Sequence, residues 1–238
     1  MKRFYKQVAV APGPEGYTIA LDGRPVRTPA RHVLTLPTPA LAQAVAAEWQ
    51  AQGESLDVPG MHLTRLSNQA QDRVAADADM VVAQLCNYAA TDLLCYRAAG
   101  PASLVERQAA HWDPLLEWAA AHYGVLLPVT VGVMPQPPSA DHAAVFQQRL
   151  AAEDAFRLTG LAEVVVASGS LVIGLAVLEG RLAAAAAWGA ASVDECFQAE
   201  RWGPDAEAQA MLRSRQASLE AGAKLLALAR PLAKSSPR

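Results

Sequence analysis

Apolar and polar residues alternate along positions 3 to 36, and from there nearly to the C-terminus the apolar positions recur with a period near 3.6. In the first stretch FYKQVAV and YTIAL carry the two-residue period of half-buried strands, Asp22-Gly23 supplies a hairpin turn, and HVLTL follows a loop marked by Pro25 and Pro29. Prolines at 12, 14, 25, 29, 37, 39 and 59 restrict strands to edges and short runs, which predicts a small, irregular, twisted sheet. TPALAQAVAAEWQAQG then opens a helix. Thr38 is its expected N-cap, Pro39 its first helical residue and Gly53 its left-handed stop. Leu41, Val45 and Trp49 lie one helical turn apart, a core face on which Trp49 anchors the helix to the sheet.

After the extended ESLDVPG the pattern predicts helices over 61–72, 77–97, 101–110, 112–123, 139–153, 157–178, 181–202 and 205–229. Gly100-Pro101, Gly124, the Pro-rich MPQPP at 134–138, Gly180 and Gly203-Pro204 punctuate them. In HWDPLLEWAAAHYG, residues Trp112, Leu115, Leu116 and Trp118 read as core, and His122 suits a helix C-terminus. The change of period predicts an α+β fold. A small N-terminal β-rich domain, 1–70, precedes a larger all-helical domain, 71–238.

Composition narrows the function classes. Apolar residues make up 52% of the 238 positions and charged residues 18%, the balance of a chain with a substantial core. A formal charge of −3 without a basic stripe argues against nucleic acid as a partner. The apolar segment Val164–Leu178 is interrupted by Ser168, Gly169 and Ser170 and falls short of the roughly 20 residues that span a bilayer, so no membrane insertion is expected. Cys86, Cys95 and Cys196 are scattered, with no CxxC spacing, which fits a reducing compartment. MKRFYKQVAV passes from two basic residues directly into a strand-like pattern, without the apolar stretch of an export signal. A cytoplasmic location follows as the expectation.

Catalytic signatures are sparse. There is no GxxxxGK[ST]; ASGSLVIG at 167–174 does not satisfy GxSxG, and its small residues suit close helix contact; the histidines show no HExxH or HxxxH pairing. Neither a metal, nor a cofactor, nor a small-molecule substrate is indicated. The densest chemistry is VDECFQAERWG at 193–203. Asp194, Glu195 and Glu200 surround Cys196 with negative charge, which disfavours a thiolate nucleophile. Asp194 and Glu195 project about 100° apart on a helix, a poor arrangement for a general acid and base acting on one substrate. Taken as one helix, 181–202 places Leu182, Ala186, Ala190, Val193 and Phe197 on a core face and Trp188, Glu195, Gln198 and Trp202 on the opposite one. Two indoles framing an acid and an amide suit a protein-binding surface. The alternatives are that neighbouring helices cover this face, that Glu195 or Asp194 serves a hydrolase or transferase in an interdomain cleft, or that the chain is a permanent structural subunit.

A resemblance bears on that choice. KRFYKQV at 2–8, GYTIALDGRPVRTP at 16–29, LPTPALAQAVAAEWQAQGE at 36–54, MHLTRLSNQAQDRV at 61–74, TDLLCYRA at 91–98, LVERQAAHWDPLLEWA at 104–119, SGSLVIGLAV at 168–177 and VDECFQAERWG, in this order, resemble the ATP synthase assembly chaperone of mitochondria and α-proteobacteria, which acts on the α subunit of the catalytic head. The resemblance implies a non-enzymatic protein that binds the unassembled α subunit before it pairs with β. Its location would be cytoplasmic in a bacterium and the mitochondrial matrix in the eukaryotic relatives. The resemblance also draws attention to the acidic stretch, where Glu195, Gln198 and Trp202 match the family pattern, Asp194 is compatible with it and Cys196 fills a variable position. Asp194, Glu195, Gln198, Trp202 and Trp188 are the expected partner-binding residues.

Overall fold

The computed structural model describes residues 1–132 and 140–230; the MPQPP stretch at 134–138 lies outside the described residues. Strand β1 (Val8–Gly13) pairs antiparallel with β2 (Gly16–Leu21), and β2 pairs with both β3 (Arg24–Pro25) and β4 (Thr35–Leu36). Asp22 and Gly23 turn the chain between β2 and β3 with φ of 49° and 79°, the left-handed pair that matches a tight hairpin to the twist of its strands. The first strand starts later than the alternation predicts. Tyr5 turns inward ahead of it, its hydroxyl donating to the Trp49 carbonyl at 2.6 Å and its ring meeting the Trp49 ring at 5.6 Å.

Helix α1 (Pro39–Gln50) is capped as expected by Thr38, whose Oγ1 accepts from the Leu41 N–H at 3.1 Å. Gly53 does not stop it. The helix closes at Ala51 in the right-handed conformation, because Gln52 Nε2 donates to the Glu48 carbonyl and Arg3 Nη1 to the Gln52 carbonyl, so no left-handed residue is needed to satisfy that end. The Glu48 carboxylate accepts from the Leu63 and Thr64 N–H groups at 2.7 and 2.8 Å. It thereby caps α2 (His62–Gln69) and offers negative charge to the positive end of that helix. One π-helical turn, Ala70–Val74, continues α2.

The remaining elements are α3 (Ala78–Asn87), β5 (Tyr96–Arg97), α4 (Ala102–Tyr123), β6 (Thr130–Val131), α5 (Ala140–Ala151), α6 (Ala155–Ser168), α7 (Leu171–Leu178), α8 (Ala184–Ala191), α9 (Val193–Trp202) and α10 (Ala206–Ala229). Several boundaries depart from the sequence pattern. The helix predicted over 77–97 ends at Asn87 and gives way to two 3₁₀ turns and β5, which pairs in parallel with β6. The turn is fixed by buried Asp92, whose carboxylate accepts from the Leu94 and Val172 N–H groups at 3.0 and 3.1 Å. Segments 101–110 and 112–123 form the single helix α4, with Pro114 inside it. Buried Trp112, donating through Nε1 to the Ala190 carbonyl at 2.8 Å, and buried Leu115 hold that face to the core, so the one donor lost at proline is tolerated. Leu116 and Trp118 are only half-buried against it.

The helix predicted over 157–178 is two, because Gly169 takes the left-handed conformation at φ 74° and the Ser170 hydroxyl caps α7 by accepting from the Ile173 N–H. These small residues therefore serve a corner between helices. Gly174 of the same stretch does make close helix contact, since a Cβ there would run into the Val165 and Leu161 side chains of α6, and a second close contact lies where α10 packs along α6. A Cβ on Gly222 would come within 2.7 Å of the Gly160 carbonyl oxygen, so glycine at both positions lets the two backbones approach.

Two apolar clusters organise the molecule. One joins the sheet, α1 and α2 through Ile19, Leu36, Leu41 and Leu66. The other gathers α3 to α8 around Trp112, Phe146, Leu161 and Ile173. Helix α10 enters both, giving Leu225 and Ala229 to the first and Leu219 and Leu226 to the second.

Candidate functional site

The break at Ser192 sets the geometry of the acidic stretch. Ser192 bonds its hydroxyl to the Trp188 carbonyl at 2.8 Å and ends α8, so the run 181–202 is not one helix and its predicted faces hold only in part. Ala190, Val193 and Phe197 are buried as expected and Leu182 is half-buried, but Ala186 faces outward, because the change of axis at Ser192 hands its place in the core to Ala187 and Ala191.

Helix α9 rests on α4 through Val193 and Phe197, while its other sides carry the polar groups. Asp194 is not aimed outward. Its carboxylate accepts from Gln108 Nε2 at 2.7 Å, and the buried Gln108 in turn accepts from the Ala98 N–H. Glu195 accepts from Arg215 Nη1 of α10 at 2.6 Å, and the same guanidinium bonds the Ala167 carbonyl and lies over the Trp188 ring at 5.7 Å. Trp188 is thus half-buried beneath Arg215 and belongs to the wall behind the strip, not to its outer surface. Gln198 is exposed, and Trp202 is 73% exposed. Glu200 forms a two-pronged pair with Arg107 at 2.8 and 2.9 Å. Those charged hydrogen bonds hold the Glu200 carboxyl below its usual range and push the Arg107 guanidinium up.

Between α9 and the start of α10 these side chains border a groove of about 330 Å³. Glu195 and Arg215 form one end. Gln198, Trp202, Met211 and Leu212 supply the walls, with Met211 63% exposed. Sequence patterning places Glu195, Gln198 and Trp202 at this groove and misses Arg215, Met211 and Leu212, which arrive from a separate helix. Nothing in the spacing of SRQ at 214–216 singles Arg215 out.

Chemically, the groove offers an apolar indole and a polarizable thioether beside a neutralised ion pair. The two acids engage opposite partners, Gln108 on α4 and Arg215 on α10, so they do not converge on a common reacting atom as an acid and base must. Among the described residues no cluster of three or more His, Cys, Asp or Glu is placed to hold a metal ion, and no helix is long and apolar enough to cross a membrane.

A family model described as ATP12 chaperone protein matches residues 2–120. The structure is similar to that of Atp12 from Paracoccus denitrificans, with a TM-score of 0.91 at 44% identity over 96% of this chain and 98% of that one. An aspartate-to-lysine mutant of Paracoccus denitrificans Atp12p gives 0.91 at 43% identity with the same coverage. A protein from Agrobacterium tumefaciens, described as a candidate chaperone, gives 0.89 at 38% identity over 95% of this chain and 85% of that one.

Proposed function

The chain belongs to the ATP12 chaperone family, and from that membership we propose that it binds the unassembled α subunit of the ATP synthase catalytic head and shields it from aggregation until it pairs with β. The single observation that carries this reading is similarity along almost the whole chain, which includes both apolar clusters and the α9 strip.

The physical action is protection by mass action. A subunit lacking its neighbours exposes apolar interface, and a partner present at about 100 times its Kd holds nearly all of it, worth about 2.7 kcal/mol. No nucleotide need be consumed. The α9–α10 groove is the proposed contact, with Trp202 as the apolar anchor, Gln198 and Glu195 as polar partners, and Asp194 and Trp188 holding the strip in place from behind. Because the cargo must later be surrendered to β, an interface with a polar rim and a small apolar centre suits the task better than a large hydrophobic seam.

The test is aggregation of purified α subunit, followed by light scattering after dilution from denaturant. An equimolar amount of this chain should suppress the signal, and β added afterwards should draw α into α–β complexes. Scattering unchanged by the chain would overturn the proposal.

A further inference from the structure

Leu212, Arg215, Leu219 and Leu226 follow one another at helical spacing along α10, so Arg215 stands in the stripe that faces inward. A half-buried guanidinium there must be answered, and Arg215 finds its partners on three other helices. Its Nε donates at 3.1 Å to the Ala167 carbonyl, in the last turn of α6, where carbonyls have no helical N–H to accept from. Its guanidinium carbon lies 5.7 Å from the centre of the Trp188 ring on α8. Nη1 donates to Glu195 Oε1 of α9 at 2.6 Å.

The acids of α9 are divided. Asp194 and Glu200 are held by Gln108 and Arg107 of α4 and do not border the α9–α10 groove, whereas Glu195 does. One Glu195 oxygen is taken by Arg215; among the described residues nothing bonds the other, and the side chain stays about one-third exposed. A free glutamate samples many rotamers, and holding it still for a partner costs entropy. Tied to a guanidinium that is itself tied to α6 and α8, Glu195 keeps one direction before any partner arrives. A planar fork serves a carbonyl, a carboxylate and a ring at once, which the single ammonium of a lysine cannot.

We propose that Arg215 is a positioning residue for binding of the α subunit. It acts through Glu195, fixing the free Oε2 as an acceptor at its end of the groove and neutralising the carboxylate, so that an apolar segment laid on Trp202 and Met211 does not meet a bare charge. The inference rests on the α9 strip being the contact with the α subunit.

The test is a double-mutant cycle on the affinity of the full chain for purified α subunit, measured by calorimetry below the melting temperature of every variant, with thermal melts in parallel. Arg215→Met keeps an unbranched stem and removes the guanidinium. Arg215→Met and Glu195→Ala should each weaken binding at least about tenfold, and the double variant should bind no more weakly than Glu195→Ala alone. Stability should follow a different rule. Arg215→Met should lower the melting temperature in the Glu195→Ala background too, because the bond to Ala167 is lost in both. If Arg215→Met does not fold, Arg215→Lys takes its place in the cycle, with the same non-additivity expected. Wild-type affinity in the Arg215 variant, or a loss repeated in full on top of Glu195→Ala, would overturn the proposal. So would wild-type affinity in Glu195→Ala. In each case Trp202→Ala separates the two ideas: weak binding by that variant leaves the α9 contact standing without a role for Arg215, and wild-type binding removes the contact as well.

Discussion

At the scale of single residues, the most informative side chain outside the proposed sites is Asp92. Burial pushes its carboxyl up from 3.8 to about 6, against the hydrogen bonds it accepts from Ser170 and from the Val172, Leu94 and Leu171 N–H groups. In the unfolded chain it titrates near 3.8, so between these values the folded state holds the proton more tightly, and the stability Asp92 contributes falls as pH rises. At about 1.4 kcal/mol per pH unit the loss between about pH 3 and pH 7 is about 3 kcal/mol. Wild type and Asp92→Asn should therefore diverge in that direction when unfolded by urea across the range; parallel pH profiles would refute the assignment. Asp92 also marks a limit of sequence reading. Asp-Leu-Leu-Cys is an unremarkable local cap, and that its second oxygen reaches Val172 depends on tertiary contact. Arg215 and Gln108 escape for the same reason, since each gains its role from a partner on a different helix.

The elements themselves were largely legible, because the 3.6 and two-residue periods follow directly from which faces are buried. Their interruptions were less so. Ser192 ends α8 by bonding a backbone carbonyl and carries no Gly or Pro signal, Gly169 and Ser170 break an apolar run whose period continues through them, and Pro114, a strong signal, sits inside a continuous helix. The same period placed Glu195, Gln198 and Trp202 on one side of α9 but set Trp188 beside them only by extending a single axis through Ser192. Where two helices cross closely, residue size decides. A methyl group at Gly222 meets backbone, which cannot move aside as a side chain can, so Gly222→Ala should lower stability by about 1–3 kcal/mol. Gly189→Ala, with open space around the new Cβ, should leave it level or slightly raised, as comparison of their thermal melts would reveal.

Across the whole molecule, α10 connects what composition separates. A boundary near residue 70 is our proposal from the change of period, dividing the chain into segments 1–70 and 71–238. Because α10 gives side chains to both apolar clusters, the two segments should nevertheless unfold in one cooperative transition. Calorimetric and van't Hoff enthalpies that coincide would agree with this, and two resolved transitions would not. This architecture suits a holding surface. The α9–α10 groove is built on a helix anchored in both cores, so the strip is presented on a rigid support, with the outer residues that we propose as the contact left exposed.

The central claim is that this strip works by adhesion to the α subunit, and affinity tests it most directly. Binding of purified α subunit should be measured calorimetrically for wild type, Trp202→Ala and Glu195→Lys, alongside their thermal melts. Trp202 is mostly exposed and the Glu195–Arg215 pair is about one-third exposed, so each variant should stay within about 1 kcal/mol of wild-type stability. Each should bind α at least about tenfold more weakly. Unchanged affinity in both variants, with folding intact, would contradict the account.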